Sequence, residues 1–320
     1  MSAPEALADP ETLAAIVARL DPAARLVGHR HLDGGVSATM VALDLEQDGA
    51  AHTVILRLPG PVNLAADPES AAHEHAVLEL LARHDLPAPR PLMLDTARDL
   101  LPVDYLVLGW LEGRVAFAPR DREISARAMA DLMVRIHGIA AGPELGFLPQ
   151  AGHPLDALAR PVADDHPYAL DPASIAGLEA LRPLVALHAP VLLHGDFWPG
   201  NMLWVNRELV AAIDWEDAMT GDPLADVAVA RLDIAIFWGI GAMNAFTRRY
   251  VEATGRDTAA LPLWDLVAAR RAPADYQDWG DGWAELGRSD MNAKRMTTAR
   301  QRFADAALKG IAGYRQAARA

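Results

Sequence analysis

His194-Gly195-Asp196-Phe197-Trp198-Pro199-Gly200-Asn201, followed by Ile213-Asp214-Trp215-Glu216, is the stretch on which the reading of this chain turns. Asn201 lies five positions after Asp196, and Asp214 thirteen after Asn201. Phosphoryl transfer needs a carboxylate to orient a hydroxyl and oxygen ligands to hold Mg²⁺ on the phosphates. Asp196 suits the first task, and Asn201 and Asp214 suit the second. Glu216 reaches a second metal or a water, or caps local structure. The apolar triplet Val191-Leu192-Leu193, Met202-Leu203-Trp204-Val205 and Val210-Ala211-Ala212-Ile213 read as short strands bracketing these residues. A plain turn explains His194-Gly195-Asp196 by itself. It does not explain Asp, Asn and Asp at this spacing between strands. His194 is expected to hydrogen-bond backbone and brace the loop.

Downstream, Gly221-Asp222-Pro223-Leu224-Ala225-Asp226 reads as a helix start. Asp226, one turn in, is expected to hydrogen-bond the backbone of the loop as a brace. Upstream, Gly34-Gly35-Val36-Ser37 precedes a strand. Glycines allow backbone N–H groups to approach phosphate closely, although paired glycines by themselves make ordinary turns. Thr53 to Leu58 reads as a half-buried strand, ended by Pro59-Gly60-Pro61, and carries Arg57. The next helix, 69–84, carries Glu74 and turns Ala72, Ala76, Leu80 and Leu81 inward. Taken alone, Arg57 and Glu74 read as surface residues; taken together they offer a cation for nucleotide phosphates held by a helix carboxylate. Leu106 to Leu111, with Gly109 and Trp110, then exposes backbone donors and acceptors where a strand leaves one lobe.

Composition narrows the class. The chain has 320 residues, 52% of them hydrophobic, and no cysteine, which excludes disulfides and thiolate zinc sites. Net charge is −14, which disfavours nucleic acid as a partner. The N-terminus lacks signal-peptide character and no apolar run is long enough to span a bilayer, so a cytoplasmic protein without membrane association is expected. Only two lysines occur, Lys294 and Lys309, which rules out a Walker P-loop and requires an arginine as any N-terminal phosphate clamp. Residues 291–320 hold seven Lys/Arg against one acid, and read as the solvated face of a terminal helix. Asp278, Trp279 and Trp283 belong to an acid-and-aromatic cluster that either packs helices or holds a cationic substrate by charge and cation–π contact.

The segments LLHGDFWPGNMLW and AAIDWEDAMTGDPLADVA resemble the aminoglycoside phosphotransferase family, a group with the protein-kinase-like fold that includes choline kinases. VILRL, AAHEHAVLELLARHDLPAPRPL, YLVLGWLEG and MADLMVRIHGI occur in that family's order, so the resemblance runs from Leu32 to Phe237. It implies an α+β bilobal fold: an antiparallel-sheet N-lobe over residues 1–108, a hinge at 109–113 and a mainly helical C-lobe over 114–320. It implies Asp196 as catalytic base, Asn201 and Asp214 as Mg²⁺ ligands, Asp226 as brace and Arg57 paired to Glu74. Adenine is then expected at Gly109, Trp110 and Leu111, and phosphates at Gly34, Gly35 and Ser37. Arg57 departs from the lysine of many relatives, a planar fork replacing a point charge. The segments around Leu56–Pro61 and Trp215–Asp226 are also similar to kinase-like domains fused to some acyl-CoA dehydrogenases. The expected activity is ATP- and Mg²⁺-dependent phosphorylation of a small-molecule hydroxyl, with GTP as the alternative nucleotide. The acceptor is an aminoglycoside-like molecule or, alternatively, a choline-type amino alcohol or a hydroxyacyl-CoA. A non-catalytic nucleotide-binding pseudokinase is the reading from another class. Oligomeric state is not legible in the sequence.

Overall fold

The computed structural model describes residues 9–32, 38–162, 168–271, 282–284 and 286–317. The chain divides into two compact units: Met1–Glu112 together with Ala211–Glu216, and Gly113–Val210 together with Asp217–Ala320. The return of residues 211–216 to the first unit was not foreseen from sequence.

The first unit opens with helix α1 (Pro10–Leu20), capped by the Asp9 carboxylate on the Thr12 N–H (3.0 Å), with Pro10 in the first turn. Strands β1 (Arg25–His31), β2 (Ala38–Gln47), β3 (Ala50–Pro59), β4 (Pro91–Asp95) and β5 (Tyr105–Gly109) form one antiparallel sheet, ordered β1-β2-β3-β5-β4. Alternation along β3 sends Val54, Leu56 and Leu58 into a core with Val41, Leu43 and Leu45 of β2 and with Leu13, Ile16 and Val17 of α1. Each such buried side chain contributes about 1.5–3 kcal/mol through removal from water. Arg57 points to the opposite face, between Leu56 and Leu58 in sequence.

That face meets helix α3 (Ser70–Arg83), reached through the short helix α2 (Pro61–Ala66). The inward side of α3 is the expected one at Leu80 and Leu81, which are buried, but not at Ala72 and Ala76, which are half-buried while Ala71, Glu74, Val77 and Leu78 are buried. An apolar count rotates the face away from Glu74; the ion pair described below makes its burial tolerable.

The second unit is mainly helical. Helix α4 (Arg122–Ile136) is followed by the short helices α5 (Pro154–Ala159) and α6 (Pro172–Glu179). Strands β6 (Val191–Leu193) and β9 (Met219–Gly221) pair antiparallel, and β7 (Met202–Val205) pairs with β8 (Glu208–Ala212). Helix α7 (Leu224–Phe237) is apolar around most of its circumference and buried along most of its length, the signature of a central helix. Helices α8 (Ile240–Thr254), α9 (Leu261–Arg271) and α10 (Ala293–Ala317) complete the unit, each of them packed on α7. Among the described residues no helix is long and apolar enough to cross a membrane.

Candidate active site

In the first unit, four of the expected residues converge. Arg57 is 4% exposed. Its Nε donates to Glu74 Oε2 at 2.8 Å, and its Nη2 to Asp214 Oδ1 at 2.7 Å and Glu216 Oε2 at 2.6 Å. Burial works against the guanidinium charge, but the three carboxylates outweigh it and hold the Arg57 pKa above its usual range. Burial pushes the Glu74 carboxyl up, with Arg57 pulling in the opposite direction. The fork geometry of arginine is what lets one side chain serve three acids.

Local structure sets the spacing of the two downstream acids. Ala212 donates its N–H to Pro87 O (2.9 Å), fixing this segment in the unit. Trp215 is 1% exposed and donates Nε1 to Ala212 O (3.0 Å). Asp214 takes a left-handed backbone, φ 66°, a conformation that aspartate tolerates better than most residues. The flanking carboxylates thereby both reach Arg57. Three carboxylates around one guanidinium leave an excess of negative charge. Among the described residues no three His, Asp or Glu side chains suffice to hold an ion by themselves. Mg²⁺ sites completed by substrate phosphates have this character.

The second unit holds the loop. His194 is fully buried. Its backbone N–H donates to Asp226 Oδ2 (2.7 Å), and the Gly195 N–H donates to Asp226 Oδ1 (2.9 Å). Asp226, 2% exposed, also faces His137 Nε2 at 3.3 Å, and His137 Nδ1 lies 2.8 Å from the Tyr250 hydroxyl. Burial raises the Asp226 pKa, but His137 and the loop amides bring it below the ordinary range. The Asp196 N–H donates to His194 Nδ1 (3.3 Å). Asn201 Nδ2 donates to Asp196 Oδ2 (3.1 Å) and Asp196 O (2.9 Å). The loop leaves β6 through Gly195, φ +83°, where an added Cβ would lie 1.9 Å from Asp217 O. Only glycine fits there.

Two residues near this loop were not singled out from sequence. Arg271 donates to Gly195 O and to Asp217 Oδ2 (3.2 Å). Asp233 sits on α7 seven residues after Asp226, two turns along the same face. Four residues further, Phe237 packs on Trp198 of the loop, ring centroids 5.6 Å apart. Burial, then the charge of Asp196, push the Asp233 carboxyl up to about 8, with Arg271 opposing. Its seven-residue offset from Asp226 was the available signal, masked because an acid in an apolar run reads first as an interruption of that run.

Gly109 donates its N–H to Arg90 O (2.8 Å), Trp110 bonds Glu112 Oε1 (3.0 Å) beneath the Arg30 guanidinium, and Leu111 follows directly. Gly34, Gly35, Ser37, Asp278 and Trp279 lie outside the described residues. Trp283 is 7% exposed and packs edge-on against Phe117 at 5.2 Å and beside Phe237 at 5.2 Å, as a ring of the apolar interior.

Comparison with known proteins places this geometry. The family model described as a phosphotransferase enzyme family matches residues 29–269. Mouse acyl-CoA dehydrogenase family member 10 is 26% identical over 199 residues, 57% of this chain and 18% of that protein. The chain therefore spans less than a fifth of that relative. Among solved structures, the macrolide 2′-phosphotransferase of Brachybacterium faecium superposes with a TM-score of 0.58 at 20% identity, covering 94% of this chain and 96% of the other. A thermostable mutant of an aminoglycoside phosphotransferase, in ternary complex with ADP and hygromycin B, gives a TM-score of 0.55 at 17% identity, with 93% and 98% covered. The fold is the protein-kinase-like fold of these enzymes.

Proposed function

Because the chain belongs to the phosphotransferase enzyme family, we propose that it is an ATP- and Mg²⁺-dependent kinase that phosphorylates a hydroxyl group of a small molecule. The observation that carries this reading is the fixed carboxylate of Asp196. His194 holds its backbone and Asn201 its side chain, while Asp226 anchors the start of the loop. A carboxylate so held accepts the proton of an incoming hydroxyl without reorganising. The hydroxyl oxygen attacks the γ-phosphorus, the bond from that phosphorus to the bridging oxygen breaks, and the proton goes to Asp196. No covalent phospho-enzyme is needed.

Arg57 supplies the positive charge toward nucleotide phosphates, and Glu74 orients it. Asp214, with Glu216 two residues on, and Asn201 are the residues that would hold Mg²⁺. When bound, the ion neutralises phosphate charge as the terminal phosphoryl group departs. ADP in the ternary complex of the aminoglycoside phosphotransferase supports a nucleotide donor, and hygromycin B supports a small-molecule acceptor.

A second acceptor class has its own support. The curated relative is named as an acyl-CoA dehydrogenase family member, which favours a hydroxyacyl thioester over an antibiotic. A phosphotransfer screen against aminoglycosides, amino alcohols and hydroxyacyl-CoA thioesters separates the classes. Transfer to one class identifies the acceptor. Stabilisation by MgATP with no transfer to any acceptor would instead fit a nucleotide-binding pseudokinase.

A further inference from the structure

The second unit contains a cavity of about 640 Å³ that none of the residues discussed above as catalytic or metal-binding lines. It is open to solvent, and four exposed cations from two helices line it: Arg122 at the first position of α4, and Lys294, Arg295 and Arg302 on α10. Arg295 and Arg302 are seven residues apart, hence on one face of that helix. The lining contains one acid, Asp290. That carboxylate is already engaged, accepting from buried Arg288 at 2.8 and 3.1 Å and facing Arg295 at 3.2 Å. Among the described residues, Lys294 and Arg302 have no carboxylate partner, and Arg122 has only a long contact, 3.5 Å, to Trp238 O.

This concentration of charge runs against both the chain and its local structure. The protein as a whole carries −14. Lys294 and Arg295 occupy the first turn of α10, which has no acid, although a helix N-terminus favours negative charge. The first turn of α8 opens on the same cavity through Gly239 and Ile240. It has neither a side-chain cap nor an acid. Asn292 Oδ1 caps α10 through the Arg295 N–H (3.0 Å), so the start of α8 is the terminus left for an anion to join. Beside the cations, the half-exposed Ile240 provides apolar surface, with the buried Phe237 beneath it. The volume is that of a pocket for a small organic ligand.

We infer that this cavity binds a small organic molecule carrying two or more phosphate groups, with Lys294, Arg302 and Arg122 on the phosphates and Ile240 against its apolar part. Phe237 lines the cavity and also packs on Trp198, so an occupant lies one ring away from the loop that carries Asp196. The site is separate from the nucleotide-binding residues proposed above and does not depend on the kinase reading.

The two lysines of the chain provide the test, because both lie on α10 and only Lys294 lines the cavity. Calorimetric titration with inorganic pyrophosphate, without Mg²⁺, compares the wild type with Lys294→Glu and Lys309→Glu, which change net charge equally. The expected result is a Kd raised roughly tenfold or more by Lys294→Glu, the loss of one charged hydrogen-bonding partner, and changed less than about twofold by Lys309→Glu. Equal weakening in both variants would mean diffuse attraction and overturn the site. Unchanged binding in both would place pyrophosphate elsewhere, the nucleotide site included, and absence of binding to the wild type is equally adverse. Tighter binding of a single-stranded oligonucleotide with the same Lys294 dependence would reassign the site to nucleic acid. Should Lys294→Glu fail to fold by circular dichroism, Arg302→Glu replaces it under the same criteria. No phosphoryl transfer is read, so failure here and failure of the kinase proposal are distinguishable.

Discussion

Asn201 donates its side-chain amide to the Asp196 carboxylate at 3.1 Å, and the same nitrogen donates to the Asp196 backbone carbonyl at 2.9 Å. One residue thus fixes both the position and the rotamer of the carboxylate proposed to receive the proton. Replacing it by alanine frees Asp196 and removes an oxygen from the proposed metal shell. Asn201→Ala is expected to lower kcat by roughly 100-fold or more while the melting temperature changes little. Steady-state kinetics with the acceptor found by the screen checks this, and an unchanged kcat contradicts it.

Arg57 holds Glu74, Asp214 and Glu216 together. Arg57→Met strands three carboxylates, and at least Glu74 would be buried without a partner. The expected loss is about 3–5 kcal/mol of stability, measured by urea unfolding. Arg57→Lys keeps the charge but not the fork. It should weaken MgATP binding about tenfold, with a smaller loss of stability. A double variant, Arg57→Met with Glu74→Leu, should recover part of the loss, because the most buried of the three carboxylates is then gone. Simple additivity of the two single losses would contradict the assigned pairing.

Asp226 accepts two backbone N–H groups at the start of the loop. Asp226→Ala leaves both buried and unpaired, at a cost of about 3 kcal/mol. Asp226→Asn keeps one acceptor oxygen and should lose less. Both are read by chemical denaturation, and equal losses in the two variants would argue against the amide-anchoring role.

Gly195→Ala brings a methyl group to 1.9 Å from Asp217 O at a positive φ. The loop must shift to accept it, so turnover is expected to collapse even where the protein folds. A fully active Gly195→Ala enzyme would show that the loop departs from the conformation described.

Asp233 has a folded-state pKa raised to about 8, mainly by burial and then by Asp196. An unfolded aspartate titrates near 3.9. Between these values the native state binds the extra proton, so stability falls as pH rises from about 4 to about 8 and levels off above. Asp233→Asn removes this contribution. Melting temperature followed across that range should fall less in the variant than in the wild type; parallel profiles would contradict a protonated Asp233.

The readable part of this molecule is the part carried by local order in the chain. Residues 194–201 form one loop, so spacing alone exposed Asp196 and Asn201, and the strand bearing Arg57 followed from its alternation. What escaped depends on contacts between distant positions. Glu74 is buried because Arg57, seventeen residues earlier, neutralises it, so the apolar periodicity of its helix marked a different face. Asp233 resembled a mere break in an apolar run, although its offset from Asp226 placed it on the loop-facing side. Lys294, Arg295 and Arg302 read as a solvated helix face and are exposed; that Arg122, from a distant helix, lines the same cavity is not encoded locally.

The central claim is that Asp196 handles the proton of the acceptor hydroxyl. The most direct measurement pairs single-turnover phosphotransfer with MgATP binding in Asp196→Asn. The account predicts a rate lowered by roughly 100- to 10,000-fold with MgATP affinity preserved. Wild-type transfer rates in that variant would contradict it.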